Sequence, residues 1–234
     1  MMLHRPRCRP TPPTPGALRS VALAALTLAA LAGLALAQGE VAELTVTAFG
    51  AQRLDLATGF TELPDGGEVV DRGTGVRLVA PWLRYAEGEV LEAHDATVDG
   101  PFGVLMAPRV RVDLAGGQLV ATEGAVLEHG AGQVLRAFEI VYDARDGWAV
   151  ARGDVVGEGP DFVADAIWAD TATGRLVLVA PYRFDDGTVV LRSDSPGTRL
   201  QLTPFEDAEG AFDGYDASTT LDDDVAQRLE AGLE

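Results

Sequence analysis

The sequence predicts an all-β protein built from stacked repeats, and three observations carry that prediction. Segments in which apolar and polar residues alternate recur along most of the chain, as in strands with one buried face. Each segment runs into a turn rich in Asp and Gly, after which a second apolar run follows. The pair returns about every 28 residues, a period typical of supersecondary units that bury their apolar faces against neighbouring units.

The first 37 residues have the layout of a secretory signal peptide. Arginines at positions 5, 7, 9 and 19 precede an uncharged run, Ser20–Ala37, that ends in a small-x-small triplet. The residues that define the predicted cleavage site are Ala35, Ala37 and Gln38. Cleavage there predicts a periplasmic or cell-envelope protein. The alternative is an uncleaved leader that anchors the chain in the inner membrane, because a run of about 18 residues reaches the lower limit for a spanning helix.

Charge and cysteine content narrow the classes of function. The chain has 36 acidic and 18 basic residues, a formal net charge of −18, and loss of the four leader arginines would bring it to about −22. Such a protein repels polyanions, so no nucleic acid partner is expected. The single cysteine, Cys8, lies in the predicted leader. The mature chain would therefore contain neither disulfides nor thiolate metal sites.

The repeat is clearest in four segments that begin with Ala and end in a turn with Gly. They are Ala80–Gly88, Ala107–Gly116, Ala137–Gly147 and Ala164–Gly174. The turn glycines, with Gly59 before them, are separated by 29, 28, 31 and 27 residues, and each is expected to supply the positive φ of its turn. A second marker, Gly-x-Val-x-x-x-Gly at Gly124–Gly130 and Gly153–Gly159, is interpreted as the return into the next unit.

Alternation selects one apolar face of the repeat. In each unit the third and fifth residues after the leading Ala share a face, because side chains on a strand alternate in direction. The apolar residues at these positions are Leu83, Tyr85, Val110, Val112, Ile140, Tyr142 and Ile167. The position between them is Arg84 or Arg111 in the first two units and Val141 or Trp168 in the last two, so the opposite face becomes apolar towards the C-terminus. The apolar face either closes into a sandwich core or lines a slot for an apolar guest.

The boundaries that follow are a signal peptide over residues 1–37, a β-repeat domain over 38–205 and an acidic tail over 206–234. Within the tail, Leu221, Val225 and Leu229 recur at helical spacing and predict a short amphipathic helix. A docking helix and a solvated terminus both fit this pattern.

No motif of catalysis is found, so the chain is predicted not to be an enzyme and to need no cofactor. His94 and His129 lack metal-ligand spacing, and no catalytic residues or metal ligands are assigned. Asp143–Gly147 and Asp185–Gly187 could be read as calcium loops, but the same residues are explained by Asp-capped turns.

Two segments, 107–127 and 137–156, share a scheme of strand, Asp-x-x-x-Gly turn, strand and Gly-x-Val return. In this scheme they resemble the OstA-like family of periplasmic lipopolysaccharide-transport proteins. The resemblance covers roughly Val41 to Arg192. It implies a folded-over, twisted β-jellyroll of stacked V-shaped two-strand units whose interior slot shelters acyl chains. The seven residues named above would line that slot. It also implies edge-strand pairing with other OstA-like domains.

The expected function is therefore a non-enzymatic envelope protein that binds or relays a lipid, either lipopolysaccharide or another amphiphile, between membranes. The absence of Lys and the acidic tail depart from what lipid phosphates need, which leaves the cargo open. The alternative is a structural envelope protein that assembles through exposed strand edges and holds no ligand.

Overall fold

A computed structural model describes residues 44–73, 75–100, 102–129, 133–143, 145–206 and 212–231. The predicted cleavage site at Ala35, Ala37 and Gln38 lies outside these ranges. The described strands, in chain order, are β1 (Leu44–Ala48), β2 (Arg53–Leu54), β3 (Thr61–Leu63), β4 (Gly67–Asp71), β5 (Val76–Ala80), β6 (Trp82–Ala86), β7 (Val90–Gly100), β8 (Gly103–Asp113), β9 (Gln118–His129), β10 (Gln133–Asp143), β11 (Trp148–Glu158), β12 (Asp161–Asp170), β13 (Leu176–Asp185), β14 (Val190–Ser193), β15 (Arg199–Glu206) and β16 (Phe212–Ser218). One helix, α1, spans Asp223–Ala231.

All sixteen described strands belong to one antiparallel sheet, which confirms the all-β prediction. Its main path runs β1-β4-β5-β7 and then strand by strand through β13 to β15 and β16. Strands β2, β3 and β6 pair beside β7, and β14 pairs with β13. Most neighbours in space are thus neighbours or near-neighbours in sequence, as a repeat with short turns requires.

The sheet bends along a line of register shifts that crosses the long strands β8 to β13. The shifts lie between Met106 and Arg109 in β8, at Phe138 in β10 and at Asp165 in β12, and each is a β-bulge or similar irregularity. On the intervening strands, Glu123 and Asp154 have φ of +70° and +52° beside Gly124 and Gly153. Because a bulge bends its strand and re-aims the following side chains, this line folds the sheet over.

The bend divides the sheet into two arms. The turn arm holds β2, β3, β6, β15, β16 and the halves of β7 to β13 that adjoin the Asp/Gly turns. The distal arm holds β1, β4, β5, β14 and the other halves of the same long strands. Both arms turn their buried residues to the same interior, where they form one hydrophobic core. This is the folded-over sheet of V-shaped units that was predicted.

The leading Ala of each unit lies at the bend. Ala80, Ala107, Ala137 and Ala164 are all buried, and in the last three the next inward residue follows after three positions instead of two. The extra residue belongs to the bulge, which restores the inward direction on the second arm. A methyl group suits the inner side of the fold, where the two arms are closest to each other.

The predicted turns repeat one hydrogen-bond pattern. The amide of Gly117 donates to the carbonyl of Asp113, 2.8 Å away, and the same i to i+4 bond joins Gly59 to Asp55, Gly147 to Asp143 and Gly174 to Asp170. Gly59, Gly88, Gly147 and Gly174 have the predicted positive φ, but in the turn after β8 the left-handed residue is Gly117 and not Gly116. The Gly116 amide instead donates to the Asp113 side chain.

One sequence interpretation needs correction. The stretches Gly124–Gly130 and Gly153–Gly159 were interpreted as returns between units, but their described residues mainly form the distal halves of β9 and β11. Strand β16 lies within the predicted acidic tail, 206–234, and pairs with β15. The sheet therefore extends further than the repeat motif, because backbone pairing does not require the Asp/Gly signature.

Helix α1 docks on the outer face of the sheet. Val225 and Leu229 are fully buried against Trp148, Trp168 and Val177, and Leu221 packs on the same cluster. This helix is the one predicted from the spacing of Leu221, Val225 and Leu229. It also explains why the outer face becomes apolar towards the C-terminus, since Trp168 lies under the helix, together with Trp148 and Val177.

An ion-pair cluster fixes the start of α1. The guanidinium of Arg175 lies 2.6 Å from Asp224 and 3.1 Å from Asp170, and Gln201 hydrogen-bonds both the amide and the carboxylate of Asp222. The hydrogen bond from Arg175 is the main cause that lowers the pKa of Asp224. At Asp170, burial raises the pKa, but hydrogen bonds from Thr173, Arg175 and backbone amides outweigh it and the net shift is downward. Both carboxylates are therefore held ionised.

Candidate functional site

The seven residues predicted from alternation all face the interior. Leu83, Val110, Ile140, Tyr142 and Ile167 are buried in the core, and Tyr85 and Val112 are half-buried against it. They lie in two adjacent rows of the turn arm: one row holds Leu83, Val110, Ile140 and Ile167, and the other holds Tyr85, Val112 and Tyr142. The structure thus places these side chains along a continuous apolar strip.

Small residues separate the large ones along that strip. Ala93, Ala121 and Ala151 stand directly across from the residues of the first row on the second strand of each unit. This alternation of large and small side chains leaves a grooved inner surface on the turn arm. Sequence reasoning missed these alanines because it followed only the first strand of each unit.

The distal arm supplies the opposite wall of the interior. Its inner row crosses eleven strands without interruption by a charged residue, in the order Val46, Val69, Leu78, Val98, Leu105, Leu127, Leu135, Gly157, Phe162, Phe184 and Leu191. Gly157 is the one position without a side chain, and the Phe162 ring fills it, since a Cβ on Gly157 would lie 2.2 Å from Phe162 Cε1.

The two walls part at a cleft near the C-terminal end of the sheet. Leu127, Val134, Leu135, Pro160 and Phe162 of the distal arm line it on one side, and Ile167, Leu176 and Tyr215 of the turn arm line it on the other. Of the seven predicted residues, Ile167 alone reaches this cleft. The others lie deeper in the core or further along the strip.

Tyr215 enters the cleft from the β15–β16 hairpin. Tyr215 stands opposite Pro204, two residues beyond Leu202, and Leu202 pairs with Leu176, the first residue of β13. The hairpin therefore projects past the turn arm towards the end of the distal arm. Burial raises the pKa of the Tyr215 hydroxyl to about 12, so it is neutral at physiological pH.

The cleft is small in this state of the protein. Its cavity volume is about 40 Å³, whereas an engineered cavity of about 150 Å³ is needed to hold benzene. A segment of hydrocarbon chain longer than about two methylene groups could enter only if the arms moved apart.

Polar groups stand at the rim of the cleft. Gln133 and Glu158 are the lining residues with polar side chains besides Tyr215, and Glu158 is the one that carries a charge. A salt bridge joins Arg136 to the carboxylate of Glu158, and both side chains are about half exposed. Both side chains belong to the outer rows of their strands, because Leu135 and Gly157 beside them form an inward-facing pair.

Other candidate chemistry finds simpler explanations. His94 stacks on Trp82 with ring centroids 4.2 Å apart, and no group of three potential metal ligands occurs in the described part of the chain. The carboxylate of Asp143 accepts the amide of Arg145 at 2.9 Å, and that of Asp185 accepts the amide of Gly187 at 3.0 Å. These bonds are those of capped turns, as the turn interpretation of both segments requires. No helix among the described residues is long and apolar enough to cross a membrane.

Comparison with known proteins adds one structural likeness. No protein-family model matches the chain, and no curated protein matches it by sequence. Among solved structures the chain is similar to LptH, the LptA-homologous periplasmic component of the lipopolysaccharide transport device from Pseudomonas aeruginosa. The identity is 14%, the match covers 66% of this chain and 84% of that chain, and the TM-score is 0.25. The geometry of the folded sheet therefore remains the basis for assigning a function.

Proposed function

We propose that this protein is a non-enzymatic envelope protein that binds an amphiphile by its hydrocarbon chain between the two arms of the sheet and relays it between membranes. The observation that carries the proposal is the apolar interior, which runs unbroken from strand to strand and parts at the cleft beside Tyr215. Each methylene group transferred from water into such an interior gains about 0.8 kcal/mol, so binding needs no specific bond to the chain.

Three further features support a carrier over a catalyst. The inner row of the distal arm is apolar throughout. The repeat resembles the OstA-like family, whose members handle lipids in the periplasm. The N-terminal 37 residues have the pattern of an export signal, which would deliver the chain to the envelope.

The test is lipid retention by the intact protein and by a variant with an obstructed cleft. Native mass spectrometry of protein purified from its producing cell should show bound lipid. Leu135→Trp, on the half-buried lining, should reduce the bound fraction by at least ten-fold, because the indole ring occupies the cleft. Val163→Trp is the matched control, since Val163 is 46% exposed on the outer face of β12 and should leave retention unchanged.

Both variants must keep the β-sheet circular dichroism of the original protein for this comparison to count. Lipid-free protein in every preparation, together with no uptake of added lysolipid, would contradict the proposal. Equal retention by the two variants would contradict the location of the site.

The second candidate is a structural protein that assembles through its strand edges. Strands β1 and β16 stand at the two ends of the main path and each pairs on one side within the described residues. The small cavity volume favours this alternative, because a closed core needs no guest. Light scattering would show concentration-dependent oligomers without lipid. In either case the edges would serve as the pairing sites for similar domains.

A further inference from the structure

We infer that the phenyl ring of Phe162 limits the length of hydrocarbon chain that the cleft can shelter, and that Gly157 is the position that makes room for this ring. The inference rests on the proposed function and deepens it by naming the residues that determine which ligands fit. Phe162 is 7% exposed and lines the cleft, so its ring is placed to contact a bound chain.

The ring of Phe162 fills a gap in the distal wall of the cleft. Phe162 of β12 pairs with Gly157 of β11, and Gly157 pairs in turn with Leu135 of β10. A Cβ atom built on Gly157 would overlap three atoms of the ring, Cδ1, Cε1 and Cζ. The ring therefore occupies the space that a side chain at position 157 would take, between its own strand and Leu135, which also lines the cleft.

The small size of the cleft makes this ring the main limit on its capacity. The cavity has a volume of about 40 Å³, and Phe162 has the largest purely apolar side chain among the residues that line it. An engineered cavity of about 150 Å³ holds benzene, which is the size of a phenyl ring. Removal of the Phe162 ring would therefore give the cleft room for several more methylene groups without any separation of the arms.

Chain length is the property of a ligand that such a limit controls. Each methylene group that moves from water into an apolar site raises the affinity about four-fold. A methylene group that finds no room stays in water and adds nothing. The dependence of affinity on chain length thus measures how much of a chain the cleft accepts, and a general loss of protein stability would not change it.

Three zwitterionic lysolipids that differ only in chain length provide the probe: decanoyl, lauroyl and myristoyl lysophosphatidylcholine. Their binding is measured by isothermal titration calorimetry below the critical micelle concentration of each. The chain-length factor is the Kd of the decanoyl lipid divided by that of the myristoyl lipid, and it would be about 200-fold if all the added methylene groups were sheltered. We expect a factor below about 20-fold for the original protein and one larger by about ten-fold or more for Phe162→Ala.

Three further variants locate the effect. Phe162→Leu should give an intermediate factor, and it tests the inference if Phe162→Ala does not fold. Gly157→Ala should lower the factor below that of the original protein, because the new methyl group displaces the ring from the wall into the cleft. Leu78→Ala is the matched control, since Leu78 is 5% exposed on β5 in the same inner row and does not line the cleft. It should leave the factor unchanged.

The outcomes separate the two proposals. An unchanged factor in the Phe162 variants, or an equal change in Leu78→Ala, overturns the inference and leaves the carrier function intact. Absence of binding of all three lipids by the original protein overturns the proposed function, and the inference falls with it.

Discussion

Replacement of Leu229 in helix α1 by Ala should release the helix from the sheet while the sheet stays folded. Leu229 is 1% exposed and packs with Val225 on the Trp148–Trp168 cluster. Truncation of a buried Leu to Ala costs about 2–5 kcal/mol. Complete burial of Val225 and Leu229 contributes about 1.5–3 kcal/mol each, so the substitution removes about half or more of the apolar stabilisation of the docked helix.

The helix cannot survive undocked. It has nine residues, and isolated helices of fewer than about 12 residues are marginal in water. Leu229→Ala can therefore lower the global stability by no more than the free energy that docking of α1 contributes. Once docking is lost, the helix unfolds locally while the sheet stays folded. The ion pairs of Arg175 with Asp222 and Asp224 are largely exposed on the acidic side, so each contributes little and they cannot keep the helix docked without the Leu229 contact.

Tryptophan emission and amide hydrogen exchange measure the result. In a Trp82→Phe background, emission arises from Trp148 and Trp168, which lie under α1, and Leu229→Ala should shift it to longer wavelength. Protection of amides in 223–231 should fall to the level of exposed loops while that of β8 to β12 is retained. Gln227→Ala, on the exposed side of the same helix, should change neither signal. Unchanged emission and protection, or loss of protection throughout the sheet, would refute this account.

Two other predictions test the ion-pair cluster and the interior. Hydrogen bonds from Arg175 and neighbouring groups lower the pKa values of Asp170 and Asp224 from the usual 3.8. These carboxylates therefore stabilise the docked helix fully above that pH and progressively less below it, so acid titration from pH 5 to 2 should red-shift the tryptophan emission. Arg175→Gln should abolish the transition that is due to these pairs. Gly157→Ala should lower the free energy of unfolding in urea by about 1–3 kcal/mol, because the new methyl group displaces the Phe162 ring. Val156→Ala, on the exposed face, should change the free energy of unfolding by no more than about 0.5 kcal/mol. Equal effects of the two substitutions would contradict the packing described for the distal arm.

Alternation and turn chemistry sufficed to predict the local structure. Val110 and Val112, or Ile140 and Tyr142, lie two residues apart in a strand that ends at an Asp/Gly turn, and period two gives them one direction in any sheet. The Asp-x-x-x-Gly pattern likewise determines a turn from bonds within five residues, such as Asp170 to Gly174. Such features need no knowledge of distant contacts.

The cleft could not be found in this way. Leu127, Phe162 and Tyr215 become neighbours only because the bulges at the bend bring the distal arm over the turn arm. A signal was present in the three-residue step from Ala107 to Val110 and from Ala137 to Ile140, where the inward period changes. A change in the spacing of inward-facing residues along one sequence indicates where the strand bends, but it does not indicate the angle of the bend.

The sequence by itself determined the β-ladder pattern, its period, its inward residues and a helix at the spacing of Val225 and Leu229. Each of these depends on backbone geometry and on neighbours along the chain. Only the tertiary structure decided that the sheet folds over at the bulges, that α1 covers Trp148 and Trp168, and that the walls part beside Tyr215. These outcomes depend on contacts between residues far apart in sequence, whose free energies are set by which surfaces meet and not by any local pattern.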